Sequence, residues 1–313
     1  MFQRLIGQSP NFEALLRSAR MVAATDVTVL VVGETGTGKE VLAQALQQHS
    51  PRADKPFITL NCAALPESLA ESELFGHRKG AFTGAIGNQL GRLQAADSGT
   101  VFLDEVDSLP VALQAKLLRF LETGEIQPVG ETQTSRVNVR ILAATNSNLQ
   151  EKIARGEFRR DLYYRLNVVP LEIPPLRERM GDIQVLLQHF MRQFAEEHRL
   201  PEASFSKVAL NRLSAYHWPG NVRELRNVCE RLSILLAGRV IEENNLPSEI
   251  INRVPVQKPL FDLPELGIDL EKVEMDLIRQ ALNRTNGNRS RSARLLGISR
   301  DTLLYRMQKY GIS

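Results

Sequence analysis

Cysteine is nearly missing from this chain. Cys62 and Cys229 are the only two in 313 residues, too few for a disulfide framework and in keeping with a reducing compartment. Long apolar runs are missing too. No stretch approaches the roughly 20 residues of a membrane span, and Met1-Phe2-Gln3-Arg4 opens no secretory signal. The expected setting is therefore cytoplasmic, with no membrane partner. The histidines, His49, His77, His189, His198 and His217, fall at no metal-binding spacing, which favours structural roles. Net charge is small at +3, but it is unevenly placed. From Arg284 onward Arg284, Arg289, Arg291, Arg294, Arg300, Arg306 and Lys309 face the single anion Asp301, so the C-terminal part expects a polyanion. With 43% hydrophobic residues the chain can bury large cores, and its length suggests two or three units.

Several stretches carry chemistry. Residues 27–32 form an apolar, β-branched run suited to a strand buried on both faces of a parallel sheet. Gly33-Glu34-Thr35-Gly36-Thr37-Gly38-Lys39-Glu40 follows, leading into an amphipathic helix over 41–48. Strand, glycine-rich loop and helix come in the order a phosphate site requires: backbone N–H groups turn inward, the helix N-terminus adds its positive end, and Lys39 supplies a point charge. Glu40 stands where a Ser or Thr usually follows the lysine, so a Mg²⁺ would rely on carboxylate, phosphate and water.

Further apolar strands are expected at 57–61, 100–105, 139–144 and 168–173. The first ends at Asn61, the second at Asp104 and Glu105, and the third is followed by Asn146. Ligands bind at strand C-termini in open α/β sheets. Asp104 can hold Mg²⁺, Glu105 can deprotonate an attacking water, and Asn146 can bond a phosphate or that water. Arg159 and Arg165 lie in a charged helical patch, but six residues on a helix is a rotation of about 240°, so one phosphate cannot easily face both. Pro170, Pro174 and Pro175 close the α/β part, and helical patterning resumes at Gly181. There Trp218-Pro219-Gly220-Asn221 reads as a tight turn whose Asn221 caps the next helix, placing Arg223 in its first turn where an anion must compensate.

Two stretches point outward. Gly80-Ala81-Phe82-Thr83-Gly84-Ala85 opposes both helix and strand, and its Phe82 either folds onto the core or is held in water as a contact. Near the C-terminus, helices expected over 289–296 and 299–310 flank Gly297, with Ser299 as N-cap and Gly297 left-handed. Two short helices about a Gly turn describe a helix-turn-helix. Ser299, Arg300, Thr302, Tyr305 and Arg306 would meet base edges, with Arg289, Arg291 and Lys309 nearer phosphates.

On these residues the chain resembles, over nearly its whole length, the bacterial enhancer-binding activators of sigma-54 RNA polymerase. Those proteins pair an AAA+ ATPase with a Fis-type helix-turn-helix. Residues 33–40 are similar to the family's Walker A, which itself carries Glu after the lysine. Leu103-Asp104-Glu105 resembles its Walker B, Asn146 its sensor I, and Arg223 its sensor II, with Ile6 and Gly7 at the nucleotide entry. The resemblance implies that Asn61 holds the Walker B glutamate, and that Arg159 and Arg165 act in trans within a hexameric or heptameric ring. It makes residues 80–85 the loop that touches sigma-54. The expected fold is α/β: an AAA+ P-loop domain with a parallel sheet (1–173), a helical lid (174–250), a linker (251–265) and an all-α Fis-type domain (266–313). Expected partners are ATP, Mg²⁺, sigma-54 holoenzyme, upstream enhancer-like DNA and other copies of the chain, in a nucleoid-associated setting. The family's usual N-terminal regulatory domain does not precede Arg4, which leaves a naturally short activator controlled in trans or a piece of a longer protein. Arg78 departs from the family, where an acid is common.

Overall fold

A computed structural model describes residues 5–251 and 267–312. The chain divides into a unit of residues 1–252 and a unit of 253–313. The expected linker, 251–265, lies outside the described residues except for Ile251, which ends a short helix, Ser248–Ile251.

The first unit is built on five parallel strands: β1 (Val29–Val32), β2 (Phe57–Asn61), β3 (Thr100–Asp104), β4 (Arg140–Thr145) and β5 (Val169–Glu172), in the order β2-β3-β4-β1-β5. Alternating side chains serve two cores, as strand geometry demands. Leu30, Leu103 and Ile141 pack with Leu117 and Leu162 on one face. Val29, Val31, Phe102 and Leu142 pack with Phe12, Leu42 and Leu46 on the other. Helices α1 (Pro10–Ala23) and α2 (Lys39–Gln48) therefore cover one side, while α3 (Glu67–Phe75), α4 (Val111–Thr123) and α5 (Arg160–Leu166) cover the other. Every position of β4 is buried, including Arg140, whose guanidinium donates to the Val22 and Ala23 carbonyls at the end of α1 (3.0 and 3.2 Å). Those carbonyls lack partners within the helix, so a cation is well placed there.

The lid has its own core. Helices α6 (Met180–His198), α7 (Lys207–Ala215) and α8 (Asn221–Leu235) bury Ile183, Leu187, Phe194, Leu213, Trp218, Leu225 and Leu232 together. At its root Arg179 and Asp182 are both buried. Asp182 accepts the N–H groups of Gln8 and Ser9 (2.6 and 2.7 Å), while Arg179 bonds Asp182 (2.8 Å) and the Ile6 carbonyl (3.0 Å). The entry segment is thereby fastened to the lid. Among the described residues no helix is long and apolar enough to cross a membrane.

The second unit packs α9 (Leu270–Arg284), α10 (Arg289–Leu295) and α11 (Arg300–Lys309) around Ile278, Ala293, Leu303 and Met307. Ser299 Oγ accepts the Thr302 N–H (3.1 Å) as N-cap, and Gly297 is left-handed at φ +65°, both as expected from sequence.

Candidate functional site

The phosphate loop sits between the end of β1 and the start of α2. Gly36 and Gly38 have φ of +80° and +101°, a region closed to most side chains. A Cβ on Gly36 would also lie 2.3 Å from the Gly220 carbonyl, so glycine is required there twice over. Lys39 is buried, and its ammonium donates to the carbonyls of Gly33 (2.8 Å) and Glu34 (3.2 Å). Burial lowers its pKa, against the opposing pull of Asp104 and Glu105. A cleft of about 580 Å³ opens here, lined by Ile6, Thr35, Gly36, Thr37, Gly38, Lys39, Glu40, Asp104, Glu105 and Arg223. Gly7, beside it, has room for no side chain: a Cβ would lie 2.5 Å from Asp182.

Both acids stand at the C-terminal end of β3. Asp104 accepts the Glu105 N–H with Oδ1 (3.0 Å), and Glu105 is left-handed at φ +52°, a strained conformation for a residue other than glycine. Asn61 is paired with Asp104 in the sheet register. Its amide oxygen nevertheless caps its own chain, accepting from Ala63 and Ala64 (2.9 and 3.1 Å). Its Nδ2, the atom that could donate to the Glu105 carboxylate, makes no hydrogen bond among the described residues, so the expected hold on Glu105 is not made here. Asn146 donates to Thr35 Oγ1 (3.0 Å), joining β4 to the phosphate loop.

Asp107, which sequence reasoning passed over, fixes that strand end. Buried Asp107 accepts from Thr145 (2.6 Å), Ser147 (2.8 Å) and Lys152 (2.7 Å), the residues on either side of Asn146 among them. Burial raises its pKa, but Lys152 and the two hydroxyls outweigh it and the net shift is downward. Its signal in the sequence was an acid two residues beyond Glu105, indistinguishable from a helix-capping residue.

The lid meets the loop at the turn before α8. The residue capping α8 is Gly220, not the expected Asn221. Asn221 is buried, and its amide bonds Leu176, Glu34 and Thr35 instead. Glu34 also pairs with Arg177 (2.5 Å), which the sequence did not single out; that bond and the one from Asn221 hold its carboxyl below the usual range despite burial. Glu224 bonds the Gly220 N–H (2.8 Å) and the Tyr216 hydroxyl (3.2 Å) rather than Arg223, leaving Arg223 on the cleft wall.

Arg159 and Arg165 are outside the cleft. Arg159 precedes α5 and pairs with Asp161 (2.6 Å), while Arg165 donates to the Leu121 carbonyl (2.9 Å). They point to different partners, as their spacing required.

The loop of residues 80–85 leaves from a two-residue ribbon, Gly76–His77 with Gln89–Leu90. Gly80 N–H bonds the Ala85 carbonyl (2.9 Å) and closes the neck; Gly80 and Gly84 have φ of +83° and +108°. Phe82 is not held in water. It is half-buried, edge-on to the His77 ring at 5.0 Å, and His77 is itself bonded to buried Ser72 (2.6 Å). Ala81 and Phe82 are half-buried and Ala85 buried, while Thr83 and Gly84 are exposed. The apolar group fully in solvent is the neighbouring Ile86, 87% exposed. Arg78 is ion-paired to Glu131, so the expected extra positive charge at the stem is neutralised locally.

In the second unit Arg289, Arg291, Ser299 and Arg300 are exposed, Thr302 is half-buried, and Tyr305 is 70% exposed. Arg306 and Lys309 are pulled back instead, onto Glu274 and Glu271 of α9. Their sequence distance from those acids hid the pairing.

A parallel sheet with a phosphate loop after β1, paired acids at the end of β3, a helical lid and a separate helix-turn-helix unit define an AAA+ P-loop protein joined to a DNA-binding module. The comparisons agree segment by segment. Residues 5–172 match the sigma-54 interaction domain, 177–261 the AAA+ ATPase lid domain, and 269–310 the bacterial regulatory protein Fis family. The transcriptional regulatory protein ZraR of Salmonella typhimurium is 48% identical over 305 residues, covering 97% of this chain and 68% of its own length. Regulatory protein AtoC of Escherichia coli is 44% identical over 312 residues, covering 98% and 68%. NtrX from Brucella abortus, solved in complex with ADP, superposes with a TM-score of 0.76 at 35% identity, covering 99% of this chain and 70% of that one. The chain belongs to the sigma-54 interaction domain family.

Proposed function

We propose that this protein is an ATP-hydrolysing activator that binds upstream DNA and remodels the closed promoter complex of sigma-54 RNA polymerase. The observation that carries the reading is one cleft in which Lys39, Asp104, Glu105 and Arg223 converge on a glycine-rich loop. Family membership directs the output to sigma-54.

The backbone of residues 33–39 and the positive end of α2 bind the triphosphate. Lys39, now satisfied by carbonyls, exchanges them for phosphate oxygens, and Arg223 closes on the same charge. Glu105 takes a proton from the attacking water as its oxygen bonds the terminal phosphorus and the bond to the bridging oxygen breaks, giving ADP and phosphate. Asn146 orients that water or the phosphate. No group of three or more His, Cys, Asp or Glu gathers as a metal site among the described residues. Asp104, with Oδ2 left as a hard oxygen donor on the cleft wall, fits Mg²⁺ held also by phosphate and water. When bound, that ion would supply neutralisation of phosphate charge.

Arg159 and Arg165 lie away from their own cleft, which supports their service to a neighbouring subunit's nucleotide in a ring. The exposed face of α11, with Arg300 and Tyr305, and the cations Arg289 and Arg291 serve DNA; Arg306 and Lys309 join them by giving up their acid partners. Residues 80–85 touch sigma-54, Phe82 after leaving His77. Phe82→Ala is expected to keep basal ATPase activity and lose open-complex formation. Full activity in both assays would refute the loop assignment.

A further inference from the structure

Asn221 ties three segments together through one side chain. It is fully buried. Its Oδ1 accepts the Leu176 N–H (2.8 Å) in the stretch joining sheet to lid. Its Nδ2 donates to the Thr35 carbonyl (3.0 Å) and to Glu34 Oε2 (3.1 Å) in the phosphate loop. Only a side-chain amide both accepts once and donates twice from this position. Its backbone is left-handed at φ +51°, which asparagine tolerates better than other residues with side chains. Two residues on, the Arg223 N–H donates to the Gly36 carbonyl (3.2 Å), so the first turn of α8 lies directly against the loop.

We propose that Asn221 is the positioning residue that sets Arg223 over the phosphate loop, so that loop and lid move as one body when phosphate is gripped. The proposal rests on the cleft being the ATP site. Through the loop's carbonyl and the Glu34 carboxylate, any shift of the loop is passed to α8 and hence to Arg223. An aspartate would lose both donors and set a second carboxylate beside Glu34. An alanine would leave the Leu176 N–H and the Thr35 carbonyl without these partners.

The test is a double-mutant cycle on ATP turnover by the full chain, with Asn221→Ala, Arg223→Ala and both together. Each single change is expected to lower kcat/KM by about tenfold or more, with the double variant within about twofold of Arg223→Ala alone. Multiplicative losses would mean that Asn221 acts on stability and not through Arg223, and would overturn the proposal. Amide hydrogen exchange without nucleotide reads the same link directly: Asn221→Ala should speed exchange of the Arg223 N–H at least about tenfold. Unchanged exchange sinks the proposal whatever the turnover. If instead Arg223→Ala leaves ATP affinity and turnover intact while the exchange effect holds, the Arg223 phosphate role fails and the positioning link stands. Asn221→Gly, which suits the left-handed backbone, replaces the alanine variant in both measurements should that variant not fold.

Discussion

Arg179–Asp182 at the root of the lid and Arg159–Asp161 at the start of α5 are the same chemical pair in opposite surroundings. The first has side chains 2% and 0% exposed, the second 39% and 46%. Burial commits the first pair. Asp182 has its oxygens filled by Arg179, Gln8 and Ser9, and Arg179 lies over the Phe12 ring at 3.5 Å. Removing either partner strands a charge where water cannot reach it. The exposed pair is worth little by comparison, since each ion is nearly as well served by water. Arg159 can therefore trade Asp161 for a phosphate at small cost. Identical chemistry is structural in one place and available for function in the other, and solvent access decides which.

Three experiments sharpen or break that contrast. The largest effect is expected from replacing Arg159 and Arg165 together by alanine: turnover should fall about 10³-fold if they act as trans arginines, with folding stability changed by less than about 1 kcal/mol. ATPase rate and urea midpoint measured on one preparation check both halves. A large loss of stability would show the exposed pair to be structural after all. Next, Asp182→Ala should cost about 3–5 kcal/mol of unfolding free energy, read by urea denaturation, while Asp161→Ala costs no more than about 1 kcal/mol. Equal costs would remove the distinction. The smallest effect concerns pH. Asp107 and Asp182 both have folded-state pKa values below the ordinary carboxylate value, Asp107 through Lys152 and the two hydroxyls and Asp182 through the N–H groups and Arg179, in each case against burial. A depressed carboxylate adds stability that is fully present above its unfolded pKa and is lost as pH falls through the folded one. Stability should thus decline below about pH 4, and Asp107→Asn should make that decline shallower. An unchanged acid limb would show that Asp107 does not contribute.

The residues that could be read in advance are those whose roles are local. Residues 29–48 specify strand, loop and helix within one short span, so the phosphate site was legible from glycine spacing and flanks. Strand cores were legible for a related reason: runs such as Val29–Val32 and Arg140–Thr145 are apolar through most of their length because both faces of a parallel sheet are covered. Ser299 and Gly297 were legible because caps act within one turn. Asn221 failed the same reasoning. A cap was the cheapest local use for its amide, yet the phosphate loop, nearly two hundred residues earlier, claimed it.

Phe82 shows the same division. Sequence placed it in a glycine-punctuated loop and left core turn and contact loop as alternatives. His77, five residues before it and held by Ser72, settles its resting place. Arg306 and Lys309 looked free for DNA until Glu274 and Glu271 were brought beside them by helix packing.

By itself the sequence determined the strand and helix pattern, the phosphate loop, the acids beyond β3 and the family that joins them, because hydrophobic period, glycine conformation and short motifs act between near neighbours. Only the tertiary structure decided which charges are committed and which are available, since desolvation and hydrogen-bond partners are set by residues distant in the chain.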